Sequence, residues 1–222
     1  MNKWGCRISG EQMRKCRVIS AFILIGMCTL FVIIGLKEHI NYEIYSVTYM
    51  DGVGTIKDLV YPQVRGLKDK SVEEKINQLL YDTVTSTGEF MSDEFQQHIT
   101  YEVKRADKNI LCVAYRDDII HQPSMYPYLG YYAVVIDMHT GTKLELENFM
   151  SMEALEEHLL SGDFVETTGV GWFEEVTVEY ILEALAKYSE YPGADFYITE
   201  DSIGVIMHFM RLYLTFEVPY EY

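Results

Sequence analysis

The spacing of apolar and polar positions changes several times along this chain, and each change predicts an element. From Val18 to Leu36, VISAFILIGMCTLFVIIGL runs nineteen residues without a charge. As a helix rising about 1.5 Å per residue it covers most of a hydrocarbon core roughly 30 Å thick. Beyond it the period drops to two. Tyr45, Val47 and Tyr49 alternate with Ser46 and Thr48, which predicts a half-buried strand over Ile44 to Tyr49. Asp51-Gly52 and Gly54 turn the chain, and Ile56 to Val64 runs extended, with Pro62 confining that stretch to an edge or a strand end. The period then lengthens. Val72, Ile76, Leu79, Leu80 and Val84 predict a helix from about Ser71 to Thr85, with Ser71 and Glu74 at the spacing of a capping box.

Gly88 to Gln97 is polar and crosses to the next element. Ile99 to Lys104 and Asn109 to Ile119 alternate as strands around a hairpin turn at Ala106-Asp107-Lys108-Asn109. His121 to Gly130 is a loop by its Pro and Gly content. Tyr131 to Asp137 is an apolar strand, His139-Thr140-Gly141 a turn, and Thr142 to Leu146 the returning strand. Met152 to Leu160 is a short helix with Leu155 and Leu159 on one side, ended by Ser161-Gly162. A longer helix spans Glu174 to Tyr188, with Val178, Ile181, Leu182 and Leu185 facing inward and acids in its first turn. After Tyr191-Pro192-Gly193, the stretches Asp195 to Thr199, Gly204 to Phe209 and Leu212 to Val218 read as strands. Strands with interspersed helices, lacking regular βαβ alternation, predict an α+β fold with an antiparallel sheet and about three helices.

Charge places these elements. Lys3, Arg7, Arg14, Lys15 and Arg17 precede the apolar run against Glu11 alone, so the positive-inside rule puts the N-terminus in the cytoplasm. A secretory signal has a shorter apolar core and a small-x-small cleavage site. Here Leu36-Lys37-Glu38-His39 offers no such site, and Met27 before Cys28 is not the small residue a lipoprotein signal requires. The expectation is an uncleaved signal anchor: a cytoplasmic tail over 1–17, a single transmembrane helix over 18–36 and an extracytoplasmic α+β domain over 37–222. Past the span, 13 basic residues face 33 acidic ones, a net charge of −20. Such a domain repels nucleic acid and anionic lipid. Two readings of the acidity stay open, steering of a cationic partner and plain solubility.

Of the cysteines, Cys112 alone follows the span, so no disulfide closes within the outer part and apolar burial must hold it together. Cys112 lies in the alternating run Ile110 to Tyr115, as a buried strand thiol does. His39, His98, His121, His139, His158 and His208 include no H-x-x-x-H pair, and none sits in a Cys or Asp ligand cluster. No G-x-S-x-G elbow occurs, and Gly52-Val53-Gly54 is too short for a phosphate loop. The chain thus implies no cofactor, no metal and no catalytic residue. The unusual surface candidate is Met125-Tyr126-Pro127-Tyr128-Leu129-Gly130-Tyr131-Tyr132. Tyr126, Tyr128 and Tyr131 offer large, stiff contact area with a polar tip, as ligand-binding loops do. The other reading is packing, with Tyr131 and Tyr132 alternating across a strand and Tyr126 and Tyr128 lying over the sheet edge.

A set of landmarks in order also resembles a known family. Tyr61-Pro62-Gln63-Val64 with Gly66-Leu67, then Lys75-Ile76-Asn77, is similar to the start of the extracytoplasmic domain of RsiV-type anti-sigma factors, a domain also found with exported polysaccharide deacetylases. Tyr132 to Asp137 followed by Thr140-Gly141-Thr142-Lys143-Leu144-Glu145-Leu146 resembles its middle. Phe196-Tyr197-Ile198-Thr199-Glu200-Asp201 and Val218-Pro219-Tyr220 resemble its last strands. The resemblance implies an α+β ectodomain, one membrane span and a binding role; in RsiV itself the domain senses lysozyme. Two features depart from it: a seventeen-residue tail cannot supply a folded sigma-binding segment, and Met210-Arg211 join the final strands almost directly. The expected function is a membrane-anchored module that binds or senses a protein or cell-wall ligand without catalysis. The alternative is a cell-wall enzyme with a dispersed site.

Overall fold

Alternation of period two builds two sheets where one was expected. The computed structural model describes residues 40–50, 57–86, 95–121, 128–169, 177–188, 195–209 and 212–220. The first sheet holds β1 (Glu43–Met50), β2 (Lys57–Arg65), β3 (Phe95–Ala106), β4 (Ile110–His121), β5 (Tyr128–Asp137) and β6 (Lys143–Leu144), side by side in chain order. All neighbours are antiparallel except β2 and β3, which run parallel over Lys57–Leu59 and Gln97–Ile99. A parallel pair needs a crossover, and helix α1 (Lys70–Ser86) is the element between them. Pro62 lies in an interior strand, against expectation. Its strand meets β3 only as far as Leu59, so at Pro62, opposite Ser46 of β1, no ladder bond on the β3 side asks for the missing N–H.

Helix α1 forms where its apolar spacing predicts, with Val72, Ile76, Leu80 and Val84 buried. They pack on Leu59, Tyr61, Ile99, Val113 and Ile136 of the sheet. The cap is corrected. Asp69 Oδ1 accepts from the backbone N–H of Ser71 at 2.9 Å and of Val72 at 3.3 Å, while Glu73 reaches back to the Leu67 N–H at 2.8 Å. Ser71 is therefore inside the helix, and its own hydroxyl donates to Asp69. The Asp69 carboxylate, one step before the first turn, takes the Ser71 amide that Glu74 was expected to bond, together with the Val72 amide beside it.

The hairpin between β3 and β4 is tied by Asp107, whose Oδ1 accepts from the N–H of Asn109 and of Ile110, both at 2.8 Å. The turn after β5 closes with the Gly141 N–H on the Asp137 carbonyl at 2.8 Å, and Gly141 has φ of 71°, a conformation open to glycine. The returning strand is only Lys143–Leu144; a 3-10 turn over Leu146–Asn148 follows, where the Asn148 side chain takes the Glu145 N–H. Helix α2 (Met152–Ser161) is capped by Ser151 Oγ accepting from the Ala154 N–H.

The second sheet is β7 (Val165–Gly169), β10 (Leu212–Pro219), β9 (Ser202–Phe209) and β8 (Asp195–Ile198) in that order, antiparallel throughout. β7 went unforeseen because VETTG has no apolar alternation; it is an edge strand with Val165 exposed. Helix α3 (Val178–Tyr188) begins after Thr177, whose Oγ1 accepts from the Tyr180 N–H at 3.3 Å; the expected start at Glu174 lies outside the described residues. Ile181 and Leu185 of α3 join Leu155 and Leu159 of α2, the apolar side of β8 to β10, and Cys112, Ala114 and Val135 of the first sheet in one core. Cys112 is fully buried there, accepts the Ile198 N–H on Sγ at 3.2 Å, and burial pushes its thiol up to about 12. It is a structural thiol. Among the described residues no helix is long and apolar enough to cross a membrane; the run from Val18 to Leu36 lies outside them.

Candidate functional site

Polar chemistry gathers on β3, β4 and β5, on both of their faces. Period-two alternation sends Leu111, Val113, Tyr115, Asp117 and Ile119 of β4 to the α1 side, where all are buried. Asp117 is the intruder in that row. Its ladder partners are Ile99 on β3 and Gly130 on β5. From two residues along β3, Gln97 Nε2 donates to Asp117 Oδ2 at 2.9 Å. Burial, with a smaller contribution from neighbouring Asp118, raises the Asp117 carboxyl to about 6, the Gln97 hydrogen bond opposing it. Tyr115 stacks on Tyr132 with ring centroids 5.3 Å apart, and burial raises its phenol well beyond the ordinary range.

The opposite face meets the second sheet through a bulge. The β3–β4 register shifts between Val103 and Arg105, leaving Lys104 the extra residue. A bulge of this kind re-aims side chains. Lys104 and Arg105, though adjacent, both reach the second sheet: Lys104 Nζ lies 5.1 Å from the Tyr197 ring centre, and Arg105 Nη1 donates to the Thr199 carbonyl at 3.3 Å. Burial works against the Lys104 charge, but Glu102 at 2.7 Å and the Tyr131 hydroxyl outweigh it and hold the ammonium above its usual range. Tyr131 stacks on Tyr213 at 4.9 Å and stands edge-on to Tyr197 at 6.3 Å. Tyr197 covers Gly204, where any Cβ would fall 2.0 Å from its ring, and its hydroxyl donates to Glu217 Oε1 at 2.8 Å. Glu217 Oε2 accepts from Ser202 at 3.0 Å, and Thr167 joins Thr215 at 2.9 Å, so the network touches all four strands of the second sheet.

The tyrosines singled out in the sequence are thereby parted. Tyr126 lies outside the described residues. Tyr128 is 37% exposed and belongs to the Asp117 face, its ring against Gly130 and its phenol raised by burial and by Asp117. Tyr131 is half-buried on the other face, held by Tyr213 and Tyr197. Ile120, 45% exposed on β4, points to the face opposite Tyr128, which pairs with Ile119. Asp117 and Gln97 were legible in principle, since a carboxylate in phase with Tyr115 and Ile119 breaks a buried row. Lys104 was not, because its direction depends on the bulge.

Elsewhere three histidines have nearby polar partners. His98 meets Asp58 at 3.2 Å, His158 meets Asp163 at 3.1 Å, and His139 meets Asn109 at 3.0 Å. Among the described residues no three His, Cys, Asp or Glu gather as a metal site. A shallow groove of about 670 Å³ beside β1 is lined by Tyr42, Glu43, Arg65 and Lys70, with Arg65 paired to Glu43 at 2.7 Å.

No family model and no curated protein matches this chain. Among solved structures it is similar to a DUF3298 family member from Bacteroides fragilis NCTC 9343, with a TM-score of 0.51 at 12% identity over 80% of this chain and 90% of that one. A DUF3298 family protein from Pseudomonas aeruginosa PAO1 is similar with a TM-score of 0.43 at 10% identity, covering 83% of this chain and 92% of that one. At this identity the first likeness bears on fold alone, and the fold is of the DUF3298 type.

Proposed function

We propose that this chain is a membrane-anchored, extracytoplasmic module that binds or senses a protein or cell-wall ligand without catalysis. The observation that carries the reading is Tyr128. It stands 37% exposed on a strand whose other tyrosines are packed. An aromatic ring fixed by its own strand offers contact area at little entropic cost. The charge-free run Val18–Leu36 behind a basic tail supports the anchor, and the landmarks resembling RsiV-type domains support binding over catalysis. A cell-wall enzyme remains the second reading because Asp117 has the raised carboxyl a general acid needs. Asp117 is only 3% exposed, which leaves a substrate no approach in this conformation.

Retention of the full chain on isolated cell walls and on secreted proteins tests the binding. Tyr128→Ala should weaken retention roughly tenfold or more while the fold holds. Unchanged retention by the folded variant would remove this surface as the site. For the topology, thiol labelling of intact cells should miss Cys6 and Cys16, and external protease should remove the domain beyond Tyr42. Protection of that domain would overturn the orientation.

A further inference from the structure

Buried hydrogen-bonding atoms are nearly always partnered, so each exception asks for a cause. Two exceptions meet in a single contact here. Gln97 Nε2 donates to Asp117 Oδ2 at 2.9 Å, yet the other oxygen of each side chain, Gln97 Oε1 and Asp117 Oδ1, is buried without a hydrogen-bond partner. Both residues are buried, at 2% and 3% exposure. A carboxylate only accepts, so with Asp117 ionised neither orphan oxygen can serve the other. One added proton changes this. Oδ1 becomes a hydroxyl donor, and a carboxylic acid and a carboxamide then present complementary edges, N–H to oxygen on one side and O–H to oxygen on the other.

The surroundings offer the charge no support. From β3 comes the neutral Gln97 carboxamide; from β5 come the Tyr128 phenol and Gly130, where a Cβ would sit 3.2 Å from the Asp117 Cβ. On β4 itself Tyr115 carries a hydroxyl that is also buried and unbonded, and Asp118 adds like charge. Among the described residues no cation acts on Asp117. Arg116, next in the chain, is turned away and holds Asp118 at 3.0 Å.

We propose that Asp117 is a buried proton-binding site, whose neutral acid completes a carboxyl–carboxamide pair with Gln97 and whose ionisation loosens the adjoining ends of β3, β4 and β5. Acidity would then tighten the strand that carries Tyr128, whichever ligand that surface takes. The folded carboxyl titrates at about 6, above the unfolded value of about 3.9. The folded state therefore holds the extra proton between those values. The stabilisation is complete below the unfolded value and is lost as pH rises through the folded one, a roughly hundredfold fall in the folding constant.

Carbon-13 NMR of the Asp117 carboxyl in the full chain tests this directly. A midpoint above about 5 is expected, and one below about 5 overturns the proposal. Asp117→Asn tests the pairing, because an amide carries permanently the donor and the acceptor of the neutral acid. Its folding constant should exceed that of the native chain by up to roughly a hundredfold at neutral pH and match it near pH 4. A variant less stable than the native chain at neutral pH, with the same pH slope, would show that the carboxylate is the form the fold prefers and sink the idea. If that variant does not fold, the titration decides alone.

Discussion

The two faces of β3, β4 and β5 bury the same kinds of side chain with opposite results. Toward the second sheet, Lys104 has Glu102 and the ring of Tyr197, Tyr197 has Glu217, and Glu217 has Ser202. Toward α1, Asp117 and Gln97 share one bond and leave an oxygen each, while the Tyr115 hydroxyl has no partner. The difference lies in what each neighbouring element can donate. A bulge and four short strands bring hydroxyls, a carboxylate and an ammonium to one side. The buried face of α1 brings Val72, Ile76, Leu80 and Val84, which have nothing to give. Burial of polar atoms is therefore cheap on one face and costly on the other, and a costly site is one whose protonation can respond to its surroundings.

The largest effect expected of any change on these faces is that of Tyr197→Ala. It removes the ring over Gly204 and the hydroxyl on Glu217, and should cost about 3–5 kcal/mol in a denaturant melt of the full chain. A loss below about 1 kcal/mol would mean that the satisfied network adds little and that the two faces differ less than their partners imply. Asp117→Asn comes next and has the opposite sign. At pH 7.5 it should stabilise by up to about 3 kcal/mol, fading to nothing near pH 4, because the native carboxyl is raised to about 6 and is ionised at the higher pH.

One substitution made on both faces sharpens the contrast. Tyr197→Phe leaves Glu217 short of a donor and should cost about 1–2 kcal/mol. Tyr115→Phe deletes a buried hydroxyl that bonds to nothing, and should be neutral or stabilising by up to about 1 kcal/mol. Equal losses at the two positions would erase the distinction. The smallest expected effect belongs to Tyr128→Ala, at the exposed margin of the poorly satisfied face. Its stability change should stay within about 0.5 kcal/mol, so that any loss of retention on cell walls reports binding and not unfolding.

Much of the secondary structure was readable without coordinates. The row Val72, Ile76, Leu80, Val84 specified α1, and the alternation around Cys112 specified a buried strand, because the period of apolar positions is set by the geometry of one element at a time. The Asp107 and Gly141 turns were equally local, a side chain bonding its own backbone and a conformation that favours glycine. The sequence also determined the acidity of residues 37–222, the lone thiol among them and the charge-free run Val18–Leu36 that precedes them.

Pairing was another matter. That the ten strands among the described residues divide into two sheets, that β2 runs parallel to β3, and that Pro62 is tolerated in an interior strand all depend on which strands meet, and alternation is silent on partners. The tyrosines show the same limit. Tyr128 and Tyr131 stand three residues apart with the same chemistry, yet strand parity sends one beside Asp117 and the other against Tyr213. Residue types announced tyrosines and carboxylates; only the packing of the second sheet on one face and of α1 on the other decided which would be satisfied and which would be left holding a proton.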